Sequence, residues 1–177
     1  ASVNPVFWDE IPENAESNAV YQALEALREE ASPEERAEQA KVNGNNKLKM
    51  GLKVSNKVLL REAIDWYGKG LAEHCTDAKM NSVLYSNRSH VHSILGNWRR
   101  SLEDAMDALK LDPANLKAAF RAARSALKLQ EWERCLALCA EGRKVDPGAK
   151  EFDEIEKEAR QKSKEVAEAA ERERQRQ

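Results

Sequence analysis

Residues that favour β-strands are scarce in this chain of 177: threonine occurs once, isoleucine four times, and aromatics make up 6%. That shortage excludes a sheet-rich domain, and the helix formers Ala, Leu, Glu, Lys and Arg dominate instead. An excess of one charge is also missing. The formal net charge is −2 although 34% of residues are charged, which argues against a general nucleic-acid binder and sets up no uniform field toward a partner. No run of eighteen apolar residues occurs, and the N-terminal "ASVNPVFWDEIPEN" has neither a basic n-region nor an apolar h-region. The reading is a soluble protein with no membrane and no nucleic acid among its partners. The three cysteines, Cys75, Cys135 and Cys139, form neither an even disulfide framework nor a C-x-x-C pair. A reducing compartment fits them: the cytoplasm, with the nucleus open to the protein as well.

What is present is helical punctuation. Ser32, Pro33 and Glu35 in "SPEE" form an S-x-x-E capping box with Pro at the first helical position. The helix so announced soon meets "KVNGNNK", Lys41 to Lys47, where Gly44 and three asparagines are poor helix formers, Gly by about 1 kcal/mol relative to Ala. Those residues therefore need another reason to be there.

The reason comes from a repeat of thirty-four residues. "GNWRRSLEDAMDALKLDPAN" from Gly96 lies over "QEWERCLALCAEGRKVDPGA" from Gln130 without a gap, placing Trp98 on Trp132, Leu102 on Leu136 and Pro113 on Pro147. This period, with its small-residue and proline positions, resembles the tetratricopeptide repeat, a helix-turn-helix unit that stacks into a superhelix. Ser89 and Ala123 fall in the small slot of helix A, and Ser101 and Cys135 in that of helix B. In a looser first copy, Gly44 takes the helix A slot, while Ala63, Tyr67 and Gly70 take the small, aromatic and small slots of helix B. Between its two helices "LKVSNKVLL" is about seven residues longer than usual, either a loop excursion or an early start of helix B.

The expected architecture is all-α: a three-repeat superhelix with an N-terminal helical extension and a long C-terminal capping helix. Its segments are residues 1–32, an extended stretch and a short helix bearing Val20, Leu24 and Leu27 on one face; 33–149, with repeats over about 37–77, 82–115 and 116–149; and 150–177, a cap whose charged end projects into solvent.

Catalytic and metal chemistry finds no frame. His90 and His92 are two apart on a helix and face different directions, with no carboxylate or Cys at ligand spacing. Cys135 and Cys139 occupy packing slots. No Ser-His-Asp pattern, phosphate loop or acid/base carboxylate pair is recognisable. The chain is read as a binding module without enzymatic activity or cofactor.

The informative polar residues lie on the helices A. Lys41 and Asn45 share a face, as do Lys117 and Arg121, and Asn87 lies thirty-four before Arg121. Read as "K-x-x-G-N", "Y-x-N-R" and "K-x-x-x-R", these five resemble the carboxylate clamp of co-chaperones that bind the acidic C-terminal tail of heat-shock protein 90 or heat-shock protein 70. The resemblance implies that Lys41, Asn45 and Asn87 hold the main-chain carboxylate of a terminal Glu-Glu-Val-Asp. Lys117 and Arg121 would take the Asp side chain and upstream carbonyls, and Leu48 would give a weaker apolar contact to the Val.

"KGLAEHCTDAKMNSVLYSNRS", "NWRRSLEDA" and "NPVFWDEIP" further resemble the tetratricopeptide repeat protein 4 group, which includes the fungal Cns-type co-chaperones, over most of residues 3–160. The chain departs from that group at "LKVSNKVLL" and at Lys47, where an aromatic is more typical. The group carries a C-terminal α/β domain. A chain that starts without Met and stops inside a charged helix is expected to be a piece of a longer protein, with client proteins engaged by regions outside it. Two competing readings remain: a scaffold whose groove takes an internal peptide or helix of another protein, and an accessory segment of an enzyme whose catalytic domain lies elsewhere.

Overall fold

A computed structural model describes residues 18–176 as eight α-helices, with no strand among them. The extended stretch expected before the first helix, with its "NPVFWDEIP", lies outside the described residues. In chain order the helices are α1 (Ala19–Glu30), α2 (Pro33–Lys53), α3 (Lys57–Ala72), α4 (Ala78–Ile94), α5 (Trp98–Leu111), α6 (Leu116–Lys128), α7 (Trp132–Val145) and α8 (Glu151–Arg174). α2 packs on α3, α4 on α5 and α6 on α7. α3 then meets α4, α5 meets α6, and α8 closes the far end against α7 and α6. This is a tetratricopeptide solenoid.

Local chemistry sets the boundaries. The capping box forms as the sequence requires: Ser32 Oγ accepts from the Glu35 N–H at 3.1 Å, and Glu35 Oε2 accepts from the Ser32 N–H at 2.8 Å. The side chains of Asn56, Asp77 and Asn115 cap α3, α4 and α6 in the same sense. Each A-to-B turn ends its helix through one left-handed residue, Ser55, Gly96 or Gln130, at φ 52°, 78° and 62°. The N–H after it returns to the helix's last turn, as in Asn97 to His92 O and Glu131 to Ala126 O, both 2.9 Å. The long "LKVSNKVLL" connection is neither a loop nor only an early α3: α2 runs on to Lys53, and the turn itself is Val54–Asn56.

The core has two parts. Leu60, Ala63, Tyr67, Leu84 and Val91 make the first, among α2, α3 and α4, and Leu102, Cys135, Cys139, Phe152 and Ile155 belong to the second, among α5 to α8. Two large rings are admitted by absent side chains. A Cβ on Gly44 would sit 2.5 Å from the Tyr67 ring, and one on Gly142 would collide with the Phe152 ring. The weak helix former at position 44 is thus the condition for seating Tyr67.

Between the two parts runs a seam of buried serines. Ser89 Oγ donates to Ser101 O at 2.7 Å, Ser125 Oγ donates to Ser101 Oγ at 2.8 Å, and Ser82 Oγ donates to Ala108 O at 2.8 Å. Arg88 braces α4 against α5 through two bonds to Asp104, at 2.8 and 2.7 Å. Buried His92 lies beside this pair, its Nε2 3.8 Å from Asp104 and its Nδ1 without a partner among the described residues.

Two expectations follow from this packing. Removing residues 150–177 exposes the surface covered by Phe152, Ile155 and Ala159. At about 1.5–3 kcal/mol for each large apolar side chain, the loss is roughly 3–6 kcal/mol, and the melting temperature falls by at least about 6 °C. Removing only 168–177, of which 168–176 are exposed, leaves it within about 2 °C. Equal effects of the two truncations would contradict a cap seated on Phe152.

The second concerns pH. Burial holds both His90 and His92 below their ordinary value of 6.5, so on acidification the unfolded chain takes up protons before the native one does. Their contribution to stability is complete above 6.5 and is lost as pH falls through the lowered native values. Thermal melts between pH 7.5 and 5.5 are expected to show falling stability, with a shallower slope for His92→Gln; an unchanged slope in that variant would exclude His92 as a cause.

Candidate functional site

Helices α2, α4 and α6 are the A helices, and their neighbouring faces line one groove. Asn45, on α2, is exposed and is held from two sides. The Tyr67 hydroxyl donates to its Oδ1 at 2.7 Å, and Asn87 Nδ2 on α4 reaches the same oxygen at 3.3 Å. With the carbonyl end occupied, the amide end of Asn45 is left as a donor without a partner among the described residues. Burial pushes the Tyr67 phenol up to about 12, while nearby Arg121 pulls it the other way. The hydroxyl is therefore a donor at any physiological pH.

Arg121, on α6, is half-buried rather than solvated. Its Nη1 donates to Ser86 O at 2.7 Å and Ser86 Oγ at 2.6 Å, so one corner of the guanidinium is anchored on α4. Burial lowers its pKa, and the guanidinium still keeps its charge. Lys117, one turn earlier, is exposed and has no ion-pair partner among the described residues. Lys41 is half-buried, with Nζ 2.7 Å from Glu38 Oε2. Leu48 is half-buried against the first core cluster, with part of its surface open.

Lys117 and Arg121 open onto a cleft of about 400 Å³ between α6, α4 and α8, which Phe120, Arg124, His90 and Phe152 also line. His90 sits under two cations: burial, then Arg121 and Arg124, hold it below its usual value and neutral at pH 7. Sequence reasoning did not single out this wall, nor the anchoring role of Ser86, nor the Tyr67 hydroxyl. Register could have pointed to part of it, because Arg124 follows His90 by thirty-four residues as Arg121 follows Asn87. A second cleft of about 400 Å³, between α5 and α7, is lined by charges that pair among themselves or with Glu131, as in Lys110–Asp107, Arg99–Glu131 and Arg134–Glu131. It offers no comparable set of uncommitted donors. Among the described residues no group of three or more His, Cys, Asp or Glu could hold a metal ion, and no helix is long and apolar enough to cross a membrane.

No family model matches the chain. Curated relatives do. A tetratricopeptide repeat protein 4 homolog of Dictyostelium discoideum is 32% identical over 162 residues, covering 92% of this chain and 40% of the relative. Human tetratricopeptide repeat protein 4 is 36% identical over 127 residues, covering 72% and 31%. The chain belongs to the tetratricopeptide repeat protein 4 family. Similar to it also is the Hsp70/Hsp90 co-chaperone CNS1 of Saccharomyces cerevisiae, at 33% identity over 131 residues, 73% of this chain and 32% of that protein. The solved Hsp90 co-chaperone Cns1 from the same yeast superposes with a TM-score of 0.70 at 30% identity, over 82% of this chain and 45% of that one. The first repeat domain of Spaghetti (RPAP3), solved with the Hsp90 peptide SRMEEVD, gives 0.63 at 24% identity, over 72% and 93%, a likeness of fold. The chain spans less than half the length of the curated relatives named here.

The role of the Tyr67 hydroxyl can be isolated. Tyr67→Phe keeps the ring on Gly44, so the fold is retained, while Asn45 loses the stronger of its two restraints. The side-chain amide resonances of Asn45 and Asn87 should shift, with those of Asn97 and Asn115 unmoved; unperturbed Asn45 signals would show that the hydroxyl does not orient it.

Proposed function

We propose that the groove binds the acidic C-terminal tail of heat-shock protein 90, and of heat-shock protein 70 as a second partner, and that the whole protein is a co-chaperone adaptor. The carrying observation is Asn45, whose carbonyl end is tied to Tyr67 and Asn87 so that its amide donors face the groove, with Lys41 four residues earlier and Lys117 and Arg121 on α6. A chain end in Asp brings two carboxylates, and bonds to ionised groups are roughly twice as strong as neutral ones. Lys41, Asn45 and Asn87 take the main-chain carboxylate, and Lys117 and Arg121 take the side-chain carboxylate and upstream carbonyls. Leu48 offers the penultimate Val an apolar contact. The names of the yeast co-chaperone and the peptide-bound neighbour support this reading. It requires neither catalysis nor a cofactor, and it places the protein in the cytosol with its chaperones. Clients are recruited by the parts of the protein outside this segment.

The test is calorimetric titration with a tail peptide ending Glu-Glu-Val-Asp, alongside the same peptide amidated at its C-terminus. Each charge-assisted bond contributes on the order of 1.5–3 kcal/mol, so amidation, Lys41→Ala and Lys117→Ala should each weaken binding at least about tenfold without changing the melting temperature. Arg121→Ala should weaken binding too, but with some loss of stability, because its bond to Ser86 O joins two repeats. Binding indifferent to amidation would instead favour the scaffold that takes an internal peptide.

A further inference from the structure

The first repeat projects where the others stop. α2 is 21 residues long, against 17 for α4 and 13 for α6, and α3 begins correspondingly early. On this projecting hairpin Met50, Leu52, Val54 and Val58 are 53%, 50%, 62% and 58% exposed. Lysines alternate with them, at 49, 53 and 57, none with an ion-pair partner among the described residues. No acidic residue occurs between Glu38 and Glu62. Aliphatic surface this concentrated, rimmed by one sign of charge, marks an interaction site. The fold does not need it, since the second and third repeats close without it.

The chain contains the complement. Residues 1–27 carry Asp9, Glu10, Glu13, Glu16 and Glu25 and no lysine or arginine, with Val6, Phe7, Trp8 and Ile11 beside the acids. The tether is long enough. From its start after Ser32, α2 runs about 31 Å to the tip at 1.5 Å per residue. The 12 residues of α1 span about 18 Å, and the stretch from Asn18 back to Phe7 adds up to roughly 37 Å when extended. We infer that the tip of the α2–α3 hairpin is the docking site for the N-terminal acidic-aromatic segment of the same chain. Phe7 and Trp8 cover the aliphatics of Met50 to Val58, and Asp9 and Glu10 meet Lys49, Lys53 and Lys57. The tip lies about 20 Å along α2 from Lys41, so the inference stands whether or not the groove binds a chaperone tail.

The experiment replaces Phe7 by p-benzoylphenylalanine in the full chain, irradiates it and maps the adducts by mass spectrometry. Adducts should concentrate within residues 47–61 of a monomeric product, with a yield unchanged on dilution. Raising the salt to about 0.5 M, which shortens the Debye length to roughly 4 Å, should lower the yield. So should Lys49→Glu/Lys53→Glu/Lys57→Glu, by about fivefold or more, with Val54→Ser/Val58→Ser as an uncharged second variant should the first fail to fold. Adducts on other helices overturn the proposal. Dimer-sized products, or a yield that falls on dilution, overturn docking within one chain. Tip-dependent binding of the intact chain to phosphatidylserine vesicles, with no adducts at 47–61, would make the surface a membrane contact and overturn it equally.

Discussion

The first repeat depends on the closeness of the Tyr67 ring to the backbone at Gly44. With glycine there, the large side chain of α3 fills the space that small residues fill elsewhere, and its hydroxyl emerges on the groove side to hold Asn45. One contact therefore does two things: it completes the first core cluster, and it turns a flexible amide into an oriented donor. A Cβ at position 44 would force the ring to move and would take the hydroxyl with it. Core and groove are coupled at that point, and the helix-propensity penalty of about 1 kcal/mol for glycine is small beside what burying a tyrosine contributes.

The same economy appears at the other end of the array, where Gly142 admits Phe152 of α8, whose ring meets Phe120 edge-on at 6.1 Å between centroids. Phe120 in turn lines the cleft beside Lys117 and Arg121. Both walls of the groove are thus backed by an aromatic seated on a glycine, and neither wall can shift without disturbing core packing. Such backing holds polar donors in place before a ligand arrives and lowers the ordering cost of binding.

Much of this was legible in the sequence because it is local or periodic. The capping box, the thirty-four-residue register, the small slots at Gly44, Ser89 and Ser101, and the shared face of Lys117 and Arg121 all depend on spacing along one helix or on a fixed offset. What spacing could not reveal involves partners on different helices: the Tyr67 hydroxyl on Asn45 and the Ser86 carbonyl under Arg121. Arg121 reads as a solvated groove residue from its helix alone, and only the neighbouring α4 shows that it is half-buried. The extra residues of "LKVSNKVLL" were visible as an excess, but their conformation was not, because residues that can end one helix or begin another do both here, two turns further out.

The serine seam between the two core clusters has a mechanical meaning. Apolar surfaces attract without regard to angle and can slide over one another at little cost, whereas hydrogen bonds are directional. Ser82 and Ser89 place such bonds between α4 and α5, and Ser125 places one between α6 and α5, where the second helix pair meets the third. The joint therefore behaves less like a greased bearing than like a keyed shaft: it fixes the angle at which α4, α5 and α6 lie against one another, and with it the curvature of the groove that α4 and α6 line.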